Sequence, residues 1–118
     1  MNLVNCYRIA VFVPVDHLEG VIDGVCASGL LDYGNYKDVL WYSAVGTGQF
    51  TPVGGANPTQ GAVGQRERCE EVRLEFSIVR DDVNLHALIN DHLIPAHPWE
   101  EPVIIVQETR ESRTEKKG

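Results

Sequence analysis

VGTGQFTPVGGANPTQGAVG, residues 45–64, places six glycines and two prolines in twenty positions, between segments rich in β-branched and aromatic residues. Its reading decides the fold. A glycine-rich turn that follows a strand and opens a helix cradles phosphate and belongs to a doubly wound parallel sheet. A glycine-rich connection between two strands belongs to an antiparallel architecture. The residues favour the second. No Gly-Lys-Ser/Thr is present, so the lysine and hydroxyl of a phosphate loop are missing. Gly46 and Gly48 start a G-x-G, but Thr51 stands where the dinucleotide fingerprint needs its third glycine.

Outward from that segment, the chain alternates between the strand and helix periods. Residues 68–80 (RCEEVRLEFSIVR) alternate strictly, with Val72, Leu74, Phe76 and Ile78 on one face and Glu71, Arg73, Glu75 and Ser77 on the other. Residues 35–45 (NYKDVLWYSAV) read as a strand running straight into the glycine segment. Residues 7–15 (YRIAVFVPV) are apolar on both parities, as in a strand covered on both faces. Then Leu18, Val21, Ile22 and Val25 fall at helical spacing, Asp16 and Glu19 have the form of a capping box, and Gly29 closes the helix. A second helix is predicted with Asp81 or Asp82 as its cap, Leu85, Leu88, Ile89 and Leu93 as its apolar face, and Pro95 as its stop. A last strand covers 103–106.

The order strand, helix, strand, strand, helix, strand is the ferredoxin-like βαββαβ pattern of an α+β sandwich, with both helices on one face of an antiparallel sheet. The domain is expected over residues 1–108. Residues 109–118 are polar without periodicity and predict a disordered tail. The first and last strands are apolar on both parities, and Tyr36, Trp41 and Tyr42 add large rings, so the sheet's second face calls for a cover; self-association through the sheets supplies one.

At 118 residues and a net charge of −7, the chain is one acidic domain that would repel nucleic acid. Three cysteines without CxxC spacing make neither a disulfide framework nor a zinc knuckle and fit a reducing cytoplasm. No run approaches the roughly 20 apolar residues of a membrane-spanning helix.

Four segments carry a family resemblance: GNY (34–36), GTGQFTPVGGANPTQGAVG (46–64), E-x-x-E-E-V-R-L-E (67–75) and HPWEEP (97–102). Together they resemble the insert domain of the NIF-three-like family, also called GTP cyclohydrolase type 2 homologues. The resemblance runs from residue 7 to about residue 106 and implies a PII-like or CutA-like unit, here standing alone. HPWEEPVII is also similar to the turn entering the last strand of CutA proteins. For stand-alone PII-like and CutA-like proteins the resemblance implies a homotrimer built by sheet packing. The family's dimetal site lies in flanking halves outside this chain, so no ligand of that site carries over and no cyclohydrolase activity is expected. Two positions depart from the pattern: Val39 and Leu40 stand where a Cys-Ser pair is frequent, and Trp99 replaces a tyrosine.

Two groups of residues are candidates for binding. The resemblance to PII-like proteins implies that the glycine segment stands at the loop over intersubunit clefts, so Gly46, Thr47, Gly48, Gln49 and Asn57 are candidate ligand residues, with successive amides at 46–48 able to form an anion nest. His97, Glu100 and Glu101 supply nitrogen and oxygen donors suited to copper or zinc. Cys69 is flanked by Glu70 and Glu71, whose charge would raise its pKa, and no catalytic triad is visible. The sequence thus predicts a non-catalytic, PII-like regulatory or interaction module. It would need no cofactor and would bind a small molecule or partner protein. The alternative is a CutA-like protein that binds a divalent cation.

Overall fold

A computed structural model describes residues 1–57 and 61–114. Strand β1 (Asn2–Pro14) leads through a single 3₁₀ turn (Val15–His17) into helix α1 (Leu18–Cys26). Strands β2 (Trp41–Tyr42), β3 (Gly46–Phe50) and β4 (Glu67–Val79) follow. Helix α2 (Asp82–Ala87) widens into a π turn (Leu88–Leu93) and closes as α3 (Ile94–Ala96), before strand β5 (Ile104–Arg113). The five strands form one sheet in the order β2-β4-β1-β5, with β3 also paired to β4, and every strand pair is antiparallel.

The alternation of residues 68–80 builds the core as expected. Val72, Leu74, Phe76 and Ile78 of β4 are buried opposite Val13, Val11, Ile9 and Tyr7 of β1. Leu18, Val21 and Val25 of α1, together with Leu31, Leu88 and Leu93, close over that face. Gly29 adopts φ 71 and donates its N–H to the Cys26 carbonyl, ending the helix as a left-handed residue does. Asp81 caps α2 by accepting from the Asn84 N–H at 2.9 Å.

Four expectations are corrected. The Asp16/Glu19 capping box does not form, because the 3₁₀ turn carries Asp16 out of the cap position and α1 starts after His17 with no side-chain cap. Pro95 does not stop the second helix but lies inside α3. The π turn just before it widens the backbone where proline lacks an N–H and would crowd the carbonyl four residues back.

The second strand is split. Tyr42 pairs with Leu74 but Gly46 pairs with Glu71, a slip of one residue that makes Ser43–Val45 a bulge. There the Ser43 Oγ accepts the Arg73 N–H at 2.9 Å in place of a carbonyl. The glycine segment consequently opens as strand β3 rather than as a loop, and its residues 58–60 lie outside the described ones.

The tail expected from residue 109 is, through Arg113, part of β5, in register with the start of β1 from Cys6↔Thr109 to Asn2↔Arg113. Its polar side chains find partners that are distant in sequence. Glu111 accepts from Ser77 and Thr109, and Arg113 is buried over the Tyr33 ring with a hydrogen bond to the Asp32 carbonyl. Residues 115–118 lie outside the described ones.

The sheet face away from the helices is a charged ladder with apolar borders. Glu75 accepts from Arg8 Nε at 3.0 Å and Arg73 Nε at 2.8 Å, and Arg8 also reaches Ser77. Around this ladder lie Trp41, opposite Glu75 and 52% exposed, and Val79, opposite Cys6 and 54% exposed.

Candidate functional site

The HPWEEP turn is seated by its histidine. Pairing between β1 and β5 ends at Val11↔Ile104, and beyond that rung the Phe12 carbonyl is taken by His97 Nε2 at 2.8 Å. The carbonyl requires a donor, so Nε2 carries the proton, and Nδ1 accepts the Trp99 N–H at 3.1 Å. The imidazole is buried, which holds its pKa below the ordinary value. The Phe12 hydrogen bond opposes that shift and the nearby His17 adds to it. Both ring nitrogens are therefore engaged, and His97 is not assembled with Glu100 and Glu101 as a ligand set. Among the described residues, no group of three or more His, Cys, Asp or Glu side chains is placed to hold a metal ion.

What His97 does instead is hold Trp99 and the following carboxylates against the glycine segment. The two rings lie 5.0 Å apart at 53°. Glu100 Oε1 accepts the backbone N–H of Asn57 at 3.0 Å, so the two candidate groups, far apart in sequence, meet. Between them is a cavity of about 410 Å³ walled by Phe12, Phe50, Pro52, Val53, Ala56, Trp99 and Val103 and edged by Gln49, Glu71, Glu100 and Glu101.

Gly46, Thr47 and Gly48 are extended in β3, opposite Glu71, Glu70 and Cys69, and do not form the anion nest. A Cβ on Gly48 would lie 2.4–2.5 Å from the Glu71 carboxyl atoms, so glycine is needed there for a carboxylate to lie across the strand. That carboxylate would repel an anion. Burial raises the Glu71 pKa, and among the described residues it makes no ion pair. Gln49 Oε1 is held by Arg68 Nε at 3.2 Å.

A second cavity of about 420 Å³ shares Trp99 with the first and is lined by residues that include Asp16, His17, Arg68, Cys69 and Glu70. Burial is the main cause of a raised Cys69 pKa, reinforced by Glu71, Asp16 and Glu70. The thiol is thus a poor nucleophile, as its acidic neighbours led us to expect. Of the residues lining the first cavity, sequence reasoning singles out Gln49, Glu100 and Glu101 as binding candidates and passes over Glu71, Phe12 and Trp99. The signal for Glu71 was its place opposite the first glycine of the segment, which becomes visible only once the bulge has set the register.

Comparison with known proteins finds sequence and structural relatives of these features. No family model matches the chain. A GTP cyclohydrolase 1 type 2 homolog of Staphylococcus aureus (strain Mu50) is 34% identical over 97 residues, covering 82% of this chain and 25% of the relative. A Bacillus cereus protein related to NIF3 superposes with a TM-score of 0.74 at 32% identity, over 98% of this chain and 28% of its own. CutA from Xylella fastidiosa (TM-score 0.60, 16% identity, 88% and 83% covered) shares the fold. So does CPII, a nitrogen regulatory PII-like protein from Thiomonas intermedia K12 (0.55, 13%, 96% and 99%). Among the described residues no helix is long and apolar enough to cross a membrane. The chain spans about a quarter of the length of the relatives it matches: it is homologous to a segment of NIF3-related proteins, the GTP cyclohydrolase 1 type 2 homologues, and it has the fold of CutA and PII-like proteins.

Proposed function

We propose that this chain acts as a non-catalytic, PII-like module that assembles as a homotrimer through its sheet and receives a small ligand or a partner protein beside the 46–64 segment. The observation that carries the reading is the sheet face opposite the helices. Its central charges are already paired within the chain by Arg8, Arg73 and Glu75, while Trp41 and Val79 at its borders stay about half exposed. A face whose central ladder is held in ion pairs and whose border is apolar suits burial against copies of itself, since Arg8, Arg73 and Glu75 keep their partners when water is removed. The fold shared with CutA and PII-like proteins supports the same assembly, and CPII, which has that fold, is bound to ADP, AMP and bicarbonate. The cyclohydrolase activity in the relatives' names is not assigned to this chain, which matches only part of them. Three free thiols agree with a cytoplasmic setting.

Light scattering at micromolar concentration tests the assembly. The reading expects a mass three times that of the 13.1 kDa chain. A monomer at that concentration would refute it.

A further inference from the structure

The cavity between the glycine segment and the HPWEEP turn has a composition that names its ligand class. Its volume of about 410 Å³ lies in the range of small-molecule sites. Phe12, Phe50 and Trp99 present aromatic surface, while Glu71, Glu100 and Glu101 bring three carboxylates to its edge. Among the described residues, no lysine, arginine or histidine lines it. The two nearby guanidinium groups are committed elsewhere. Arg73 lies 5.7 Å from the Phe12 ring centre but is bonded to Glu75, and Arg68 is bonded to Gln49 and lines the other cavity. None of the three carboxylates makes an ion pair among the described residues. Gly48 has no side chain to keep Glu71 from lying across β3 at this edge.

An apolar, aromatic hollow with unneutralised carboxylates rejects phosphates and carboxylates. It favours a cation that can lie on a ring face while its charge meets the acids. We infer that this cavity binds a small organic ammonium ion with an apolar or aryl body, held by Glu71 and Glu101 with the aromatic walls around it. This deepens the ligand-binding part of the function proposed above, on which it rests, and excludes a nucleotide as the occupant of this particular cavity. Glu100 has a separate duty, because it already holds the loop through Asn57.

The test is an amide and indole NMR titration of the 118-residue chain at pH 7 with benzylammonium, benzyl alcohol, benzoate and ADP as separate probes. Benzylammonium is expected to shift the amides of Gln49, Phe50 and Val103 and the Trp99 indole, with an affinity at least about fivefold above that of benzyl alcohol. Glu71→Gln and Glu101→Gln should each weaken it roughly threefold or more. Glu101 is exposed, so its variant keeps the test valid if the Glu71 change disturbs β3. Equal binding of benzyl alcohol, preferential binding of benzoate or ADP, no shifts at millimolar benzylammonium, or unchanged affinity in both variants would each overturn the inference. Sedimentation of the same samples separates the two claims. A trimer that ignores benzylammonium removes only the ligand class, and a monomer that binds it removes only the assembly.

Discussion

Replacing Gly48 by alanine tests whether this glycine exists to admit a carboxylate. The new Cβ would lie 2.4 Å from Glu71 Cδ and Oε1 and 2.5 Å from Oε2. Ordinary contact is about 3.5 Å or more, so the carboxylate must retreat by about 1 Å. It stands at the end of a rotatable side chain, and leaving its position for another rotamer costs at most about 0.5–1.5 kcal/mol. Alanine in a strand regains about 0.5–1 kcal/mol over glycine by restricting the unfolded chain. The two effects nearly cancel, and urea denaturation should find the variant within about 0.5 kcal/mol of the parent.

The site responds more strongly than the stability. Burial raises the Glu71 pKa, so its ionised form is disfavoured in the folded state. The penalty is present at neutral pH and disappears as pH falls through the folded-state value. Once the added methyl group of Gly48→Ala pushes the carboxylate toward water, carboxyl NMR should show Glu71 titrating at a lower pH than in the parent. A loss above about 2 kcal/mol would mean that backbone packing, not the carboxylate, requires glycine. An unchanged Glu71 titration would equally refute the reasoning.

Gly24→Ala should behave in the opposite way, because its Cβ would meet Ala96 Cβ at 2.6 Å and the His92 carbonyl at 3.0 Å, neither of which is a flexible end. Overpacking of about 1–3 kcal/mol outweighs a helix-propensity gain of about 1 kcal/mol, so denaturation should show a net loss that Ala96→Gly partly restores in the double variant. Glu75 has its pKa lowered, first by the hydrogen bond from Arg73 and then by Arg8, with burial opposing. Its contribution to stability is full above the unfolded carboxylate value and is lost as pH falls through the folded one, so Glu75→Gln should flatten the acid limb of a stability profile below about pH 5. His97 also has a lowered pKa, from burial first, and protonation would remove the acceptor for the Trp99 N–H. Stability should therefore begin to fall as pH drops below about 6.5, and His97→Gln should remove that step in urea denaturation across about pH 5–8.

How far the sequence could be read depended on the range of the interactions. The period-two pattern of β4, the Asp81 cap and the Gly29 stop are local, and each was legible. The bulge at Ser43 was not, because it depends on a hydroxyl replacing a carbonyl opposite Arg73 on another strand. Nor was the extension of β5, since Thr109, Glu111 and Arg113 look like a solvated tail until Ser77, Asp32 and Tyr33 are in place. Pro95 read as a helix stop because the rule assumes an α-helical turn before it, and a π turn changes that geometry. At the site, the PII-like resemblance pointed to Gln49 and Asn57, and donor chemistry pointed separately to Glu100 and Glu101. Their meeting required His97 to pin the turn to Phe12, a role that a metal-ligand reading of the same histidine conceals.

The most direct test of the module reading is sedimentation equilibrium of the parent chain beside Trp41→Glu. Trp41 is on the sheet face opposite the helices, at the border of the Arg8–Glu75–Arg73 ladder, and is 52% exposed, so the change leaves the core intact. The parent should sediment as a trimer of the 13.1 kDa chain, and the variant as a folded monomer, because a charged carboxylate would replace an apolar ring at the self-packed border and would have to give up its hydration there. A monomeric parent, or a variant that stays trimeric with the same affinity, would contradict the account.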